Sequence, residues 1–132
     1  NNFKAEIMKG TFDLVNDTIK VMLLDNSHSF TAENDVIADI SANEISGTGY
    51  SAGGETLANT AVTVDDTDDE GVFDADDAEW TSASFSAYHA VVYDDTTTGD
   101  MLICSIDFGG EQTVSSGTFT IQWDTEGIVN IT

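Results

Sequence analysis

Thr118-Phe119-Thr120-Ile121-Gln122-Trp123 alternates polar and apolar side chains without a break. Successive side chains of a strand point to opposite faces, so the run predicts a strand with its apolar residues inward and Thr or Gln outward. Ile19-Lys20-Val21-Met22-Leu23-Leu24 is apolar on both sides, which predicts a central strand covered on both faces. Residues 84–93 alternate too, which places Ala87, Val91 and Tyr93 on one face and Tyr88, Ala90 and Val92 on the other. Residues 57–64, with Val62 and Val64, together with Val72-Phe73-Asp74, Glu79-Trp80, 101–108 and 128–131, supply further strands. Residues 94–100 read as a polar hairpin loop, Gly109-Gly110 as the close of a strand, and Thr125-Glu126-Gly127 as a tight turn.

Helical pattern is confined to the first third. Phe3, Ile7 and Met8 recur near helical spacing and Gly10 stops the run, predicting a short helix over residues 2–10. Residues 34–40 predict a second, with Asn34 as N-cap and Asp35 favoured by the helix dipole. Residues 44–50 suggest a short strand leading into a Gly53-Gly54 turn. The expected architecture is mainly β, one domain over residues 1–132. It is an antiparallel β-sandwich or flattened barrel with one or two short helices in the N-terminal third. No proline occurs, so Gly, Asn and Asp must make the turns.

Charge narrows the partners. The chain has 25 Asp and Glu against three Lys and no Arg, a net charge of −22. Nucleic acid and anionic membranes are recognised through Lys and Arg, so neither is an expected partner. The apolar runs rule out a disordered polyanion, and the acidic exterior suits a saline or extracellular setting. Cys104 has no partner for an internal disulfide and sits in Ile103-Cys104-Ser105-Ile106, where a core thiol is expected rather than a nucleophile. No run of residues has the length and apolarity of a transmembrane helix or the form of a signal peptide. A start at Asn1 rather than Met suggests removal of preceding residues.

The densest chemistry is Asp65-Asp66-Thr67-Asp68-Asp69-Glu70-Gly71. Asp66, Asp68 and Glu70 before Gly71, with Asp77 at the last-ligand position, match the opening of a calcium loop, though the context is strand-like. The plainer reading is an exposed acidic hairpin guarding a sheet edge. His28 and His89 lie far apart in sequence and give no zinc spacing. Residues 46–54 are glycine-rich, but no Lys follows to meet a phosphate; a turn or contact loop is expected there rather than a nucleophile elbow. Trp80, Trp123 and Tyr50 are candidates for an interface, with core packing as the simpler role for the tryptophans. No enzyme signature stands out, no cofactor beyond the candidate Ca²⁺ is called for, and a non-enzymatic protein is expected.

One combination of motifs is familiar. Ser41-Ala42-Asn43-Glu44-Ile45-Ser46-Gly47-Thr48-Gly49-Tyr50 is its most specific part; the strand at Thr18–Leu24, Val72-Phe73-Asp74-Ala75-Asp76-Asp77, the 88–95 strand, Ile106-Asp107-Phe108-Gly109 and the 119–123 strand accompany it. Together, over about residues 18–132, they resemble a family of small structural proteins of tailed bacteriophages. The resemblance implies a virion component, foremost a capsid cement or decoration protein whose partner is the major capsid protein. A tail, neck or fibre component is the alternative, as is a carbohydrate-binding surface module. Self-association into dimers or trimers through a sheet edge or the Trp-bearing face fits such a role. The extreme acidity departs from the family pattern.

Overall fold

The structure, a computed structural model, describes residues 1–132. One helix, α1 (Asn2–Lys9), precedes seven strands: β1 (Ile19–Leu24), β2 (Glu55–Thr56), β3 (Ala61–Asp65), β4 (Glu70–Asp74), β5 (Ala78–Asp94), β6 (Met101–Ile121) and β7 (Val129–Ile131). They form two antiparallel sheets, β2-β1-β5-β6 and β3-β4-β7. The architecture is therefore an open sandwich, not a closed barrel.

β1 is central, as its two-sided apolarity predicts. Ile19, Val21 and Leu23 face a large core shared with Ala90, Val92, Trp80 and Phe85 of β5, Phe73 of β4, and Phe12 and Leu14 from the segment after α1. Met22 and Leu24 face a second cluster with Ile40, Val91 and Tyr93. That second face is covered by two short 3-10 turns, Ile37–Asp39 and Ser41–Asn43. Val21, Leu23 and Leu24 are fully buried, and each such side chain contributes about 1.5–3 kcal/mol.

The second helix is thus corrected to these two turns, and Asn34 is not its cap. The Asp39 carboxylate instead accepts hydrogen bonds from the backbone N–H of Asp35 (2.9 Å) and Val36 (3.1 Å). Residues 44–50 form no strand; they make single bridges, Glu44 to Leu24 and Thr48 to Ser84. The strand expected over 57–64 begins only at Ala61, and Val62 and Val64 on it are largely exposed. α1 ends in left-handed Gly10, with Thr11 N–H on Glu6 O and Gly10 N–H on Ile7 O, but Met8 points to solvent.

The longest elements were legible only in pieces. Glu79-Trp80 and 84–93 are one 17-residue strand, and 101–108 and 118–121 belong to one 21-residue strand. Gly109-Gly110 does not close that strand; both have positive φ and lie within β6 where its register with β5 shifts, between Ala87 and His89. The same irregularity inserts an odd residue at Tyr88, so Ala87 shares the large core with Ala90 and Val92 while Val91 and Tyr93 face the other way. The face assignment at Ala87 and Tyr88 is corrected accordingly. A further shift between Trp80 and Ala83 brings Ser82 to φ 49°.

Candidate functional site

The acidic hairpin links β3 to β4. Asp65 accepts hydrogen bonds from the N–H groups of Thr67 (2.7 Å) and Asp68 (3.3 Å), which hold its carboxyl below the usual carboxylate range. Asp66 and Asp68 lie in the exposed turn; Glu70 opens β4 and accepts from Asn130 Nδ2 at 2.7 Å. Asp77 lies beyond β4, where it accepts from the Trp123 N–H at 3.0 Å. The hairpin thus brings three of the four calcium candidates onto one connection and leaves the fourth tied to the β6–β7 connection. No group of three or more His, Cys, Asp or Glu side chains is placed to hold a metal ion.

The aromatic candidates are structural in their surroundings. Trp80 is 3 % exposed, stacked with Tyr50 (ring centroids 6.2 Å) and edge-on to Phe85 and Phe119. Trp123 is half-buried and donates from Nε1 to Asp76 O at 2.9 Å. The Tyr50 hydroxyl accepts from Leu23 N–H (3.1 Å) and donates to Glu44 Oε1 (2.9 Å), and burial drives its pKa well above the ordinary value. Glu44 Oε1 also accepts from Gly53 N–H at 2.6 Å. The most distinctive run of the sequence, from Ser41 to Tyr50, therefore fastens a loop to the sheet.

That loop closes the outer edge of β5. β1 pairs with β5 only at His89–Asp94; further along, Ser84 N–H donates to Thr48 O at 2.9 Å. The approach is close enough to demand glycine. A Cβ on Gly49 would lie 2.9 Å from Ala83 Cα, and Gly49 holds φ at 80°. Gly49-Tyr50-Ser51-Ala52-Gly53 carries the Gly-x-Ser-x-Gly spacing of a nucleophile elbow, which corrects the expectation that no such spacing occurs in the chain. No strand-to-helix turn surrounds it, and the exposed Ser51 hydroxyl bonds to no histidine or carboxylate.

The two histidines, 61 positions apart in the chain, meet in the fold: their rings lie 5.2 Å apart at 68°. His28 is buried, and burial first and the neighbouring His89 second lower its pKa, with Asp25 opposing. His89 Nδ1 lies 3.6 Å from Asp107 Oδ1. Sequence spacing carried no signal of this pairing, because the loop after β1 folds back over β5. Cys104 lies partly buried nearby, and burial pushes its thiol up to about 12, as a core cysteine requires rather than a nucleophile.

β6 differs from β5. It is the last strand of its sheet, and between Ile103 and Ile121 no residue outside β5 and β6 hydrogen-bonds to it. Ile106, Phe108, Val114 and Phe119 line a groove along it, each half-buried. The acidic hairpin, the aromatic cluster and the open strand edge occupy separate parts of the surface, whereas His28, His89 and Asp107 line one pocket together with Ser29 and Ser105. No family model matches the chain, no curated protein matches it in sequence, and no solved structure matches it in fold.

Proposed function

We propose that this chain is a non-enzymatic structural component of a bacteriophage virion, a cement or decoration protein that docks on the outer capsid surface through the major capsid protein. The observation that carries the reading is the frame itself. Two sheets share one core, and the run at Ser41–Tyr50 that resembles the phage proteins locks the long β5 strand into that frame. A cement protein needs this kind of rigidity and a docking face, and it needs no reaction centre. Many copies on a lattice make modest individual contacts sufficient. The acidic hairpin at Asp65–Glu70 then faces solvent or meets a basic patch on the shell.

Cryo-electron microscopy of the particle that carries the protein tests this. Density repeated at capsomer junctions is the expected result. Density confined to a tail, neck or fibre would move the protein there, and absence from purified particles would overturn the virion reading altogether.

A further inference from the structure

We propose that the free edge of β6 pairs antiparallel with β6 of a second copy, joining two four-stranded sheets into one continuous sheet across a two-fold axis. The inference stands apart from the capsid reading, since it rests on the strand edge alone.

An unpaired strand edge presents a row of backbone N–H and C=O groups that only another extended chain satisfies fully. Proteins normally blunt such edges. Here the other long edge is blunted, because β1 and the loop at Gly47–Gly49 cover β5. Along β6, only the first residues are covered: Leu102 N–H donates to Asp35 O, and Val36 bridges Met101. The rest carries neither proline nor lysine. The acids Asp107 and Glu111 and the Gly109-Gly110 irregularity guard it as far as residue 111, and beyond that one bulge at Ser115-Ser116 interrupts the open edge.

Charge selects the same place. Copies that each carry −22 repel, so they can approach only where charge is absent. Residues 112–123 contain no Asp, Glu, Lys or Arg, and among residues 78–87 of β5 that pair beside them Glu79, opposite Thr120, is the one charged residue. In a chain with 25 acids, residues 112–121 are a long uncharged stretch on an open strand edge. The competing edges are poorer: β3 leads into the acidic hairpin, and β7 is three residues long. Apolar material is present too. Val114 and Phe119 are half-buried beside the free edge, and a partner strand would finish covering them.

Antiparallel self-pairing needs no second sequence, because a two-fold axis presents each residue's neighbours to their own copies. It also predicts a salt response opposite to that of a charge-driven interface. Screening lets the copies approach, so association should strengthen with ionic strength.

Sedimentation velocity of the purified chain, over a concentration series at low salt and at about 1 M NaCl, reads this directly. The expected result is a monomer–dimer equilibrium that shifts toward dimer in high salt. Hydrogen exchange should then show amides within residues 112–121 protected about tenfold or more on dimerisation, with β3 unchanged. Thr118→Asp places like charges near the axis on an exposed position and should weaken the dimer about tenfold. Thr63→Asp on exposed β3 serves as the control and should leave it intact. A chain that stays monomeric in high salt, or a dimer whose protection falls outside β6, overturns the proposal and leaves the capsid reading untouched.

Discussion

The two long edges of the β5–β6 ribbon show what closing a sheet requires. The β5 edge is shut by β1 and then by a loop, and the loop consumes specific residues: glycine where backbone meets backbone, Tyr50 to accept from Leu23 N–H, and Glu44 to hold both Tyr50 and Gly53. The β6 edge consumes nothing of the kind. From residue 112 to 120 its exposed positions are Gln, Thr and Ser, interchangeable as far as the isolated chain is concerned. A closed edge is written into the sequence residue by residue, while an open one is written only as the absence of charge.

The sharpest way to break the comparison is to force the closed edge apart. Gly49→Ala puts a Cβ 2.9 Å from Ala83 Cα at a residue whose φ is 80°. Left-handed strain and overpacking together should cost about 3 kcal/mol. Urea unfolding measures it; a loss under about 1 kcal/mol would show that the loop shifts freely and the edge is not truly shut. Tyr50→Phe is the next largest change. It leaves the ring on Trp80 and Phe85 but strips the Leu23 N–H of its acceptor, at a cost of about 2 kcal/mol. A neutral result would mean that the tyrosine ring alone holds the loop.

Asp94 tests the closed side by pH. It lies opposite Ile19 of β1, fully buried, and accepts from the N–H groups of Thr96 (2.8 Å) and Thr97 (3.3 Å). Burial raises its pKa to about 6, those hydrogen bonds oppose the rise, and the nearby Asp17 adds to it. The folded value lies above the unfolded one of about 3.9, so the folded state binds the proton more tightly. Its favourable contribution is complete below about pH 4 and is lost as pH rises through about 6. Asp94→Asn keeps an oxygen for the two threonine amides and carries no charge. It should melt higher than the parent above pH 6, with the gap closing below about pH 4. A gap that ignores pH would mean that Asp94 ionises as an exposed carboxylate does. Asp13 and Asp39, exposed and held low by hydrogen bonds in their turns, act in the opposite sense, stabilising at higher pH and less as pH falls.

Periodicity made the sandwich class, the central place of β1, the 94–100 hairpin and α1 legible, because each rests on local pattern. The merging of short strands into β5 and β6 was not legible. A glycine pair such as Gly109-Gly110 serves equally as a turn or as a bulge, and only the partner strand decides which. For the same reason the parity change at Tyr88 left no local mark. The turn chemistry explains part of the acidity. In a chain without proline, Asp13, Asp25, Asp65, Asp107 and Asp124 each accept a backbone N–H two residues on, so these carboxylates act as turn formers before they act as charges. Of the candidate sites, the carboxylate run was read correctly as a hairpin, whereas the meeting of His28 with His89 depends wholly on tertiary folding.

The smallest expected effect belongs to the open edge and gives the comparison its scale. Thr120 lies on β6 opposite Glu79 of β5, and both side chains are exposed. Thr120→Ala removes a hydroxyl and a methyl group that touch solvent, with only strand propensity to lose, and propensity counts least where no neighbour packs on the far side. The monomer at low salt should lose no more than about 0.5 kcal/mol. Measured in the same urea series as Gly49→Ala, the two values should differ several-fold although each changes a side chain by a few atoms. A Thr120→Ala loss as large as that at Gly49 would mean that β6 already packs against something in the monomer, and the two edges would not differ in kind.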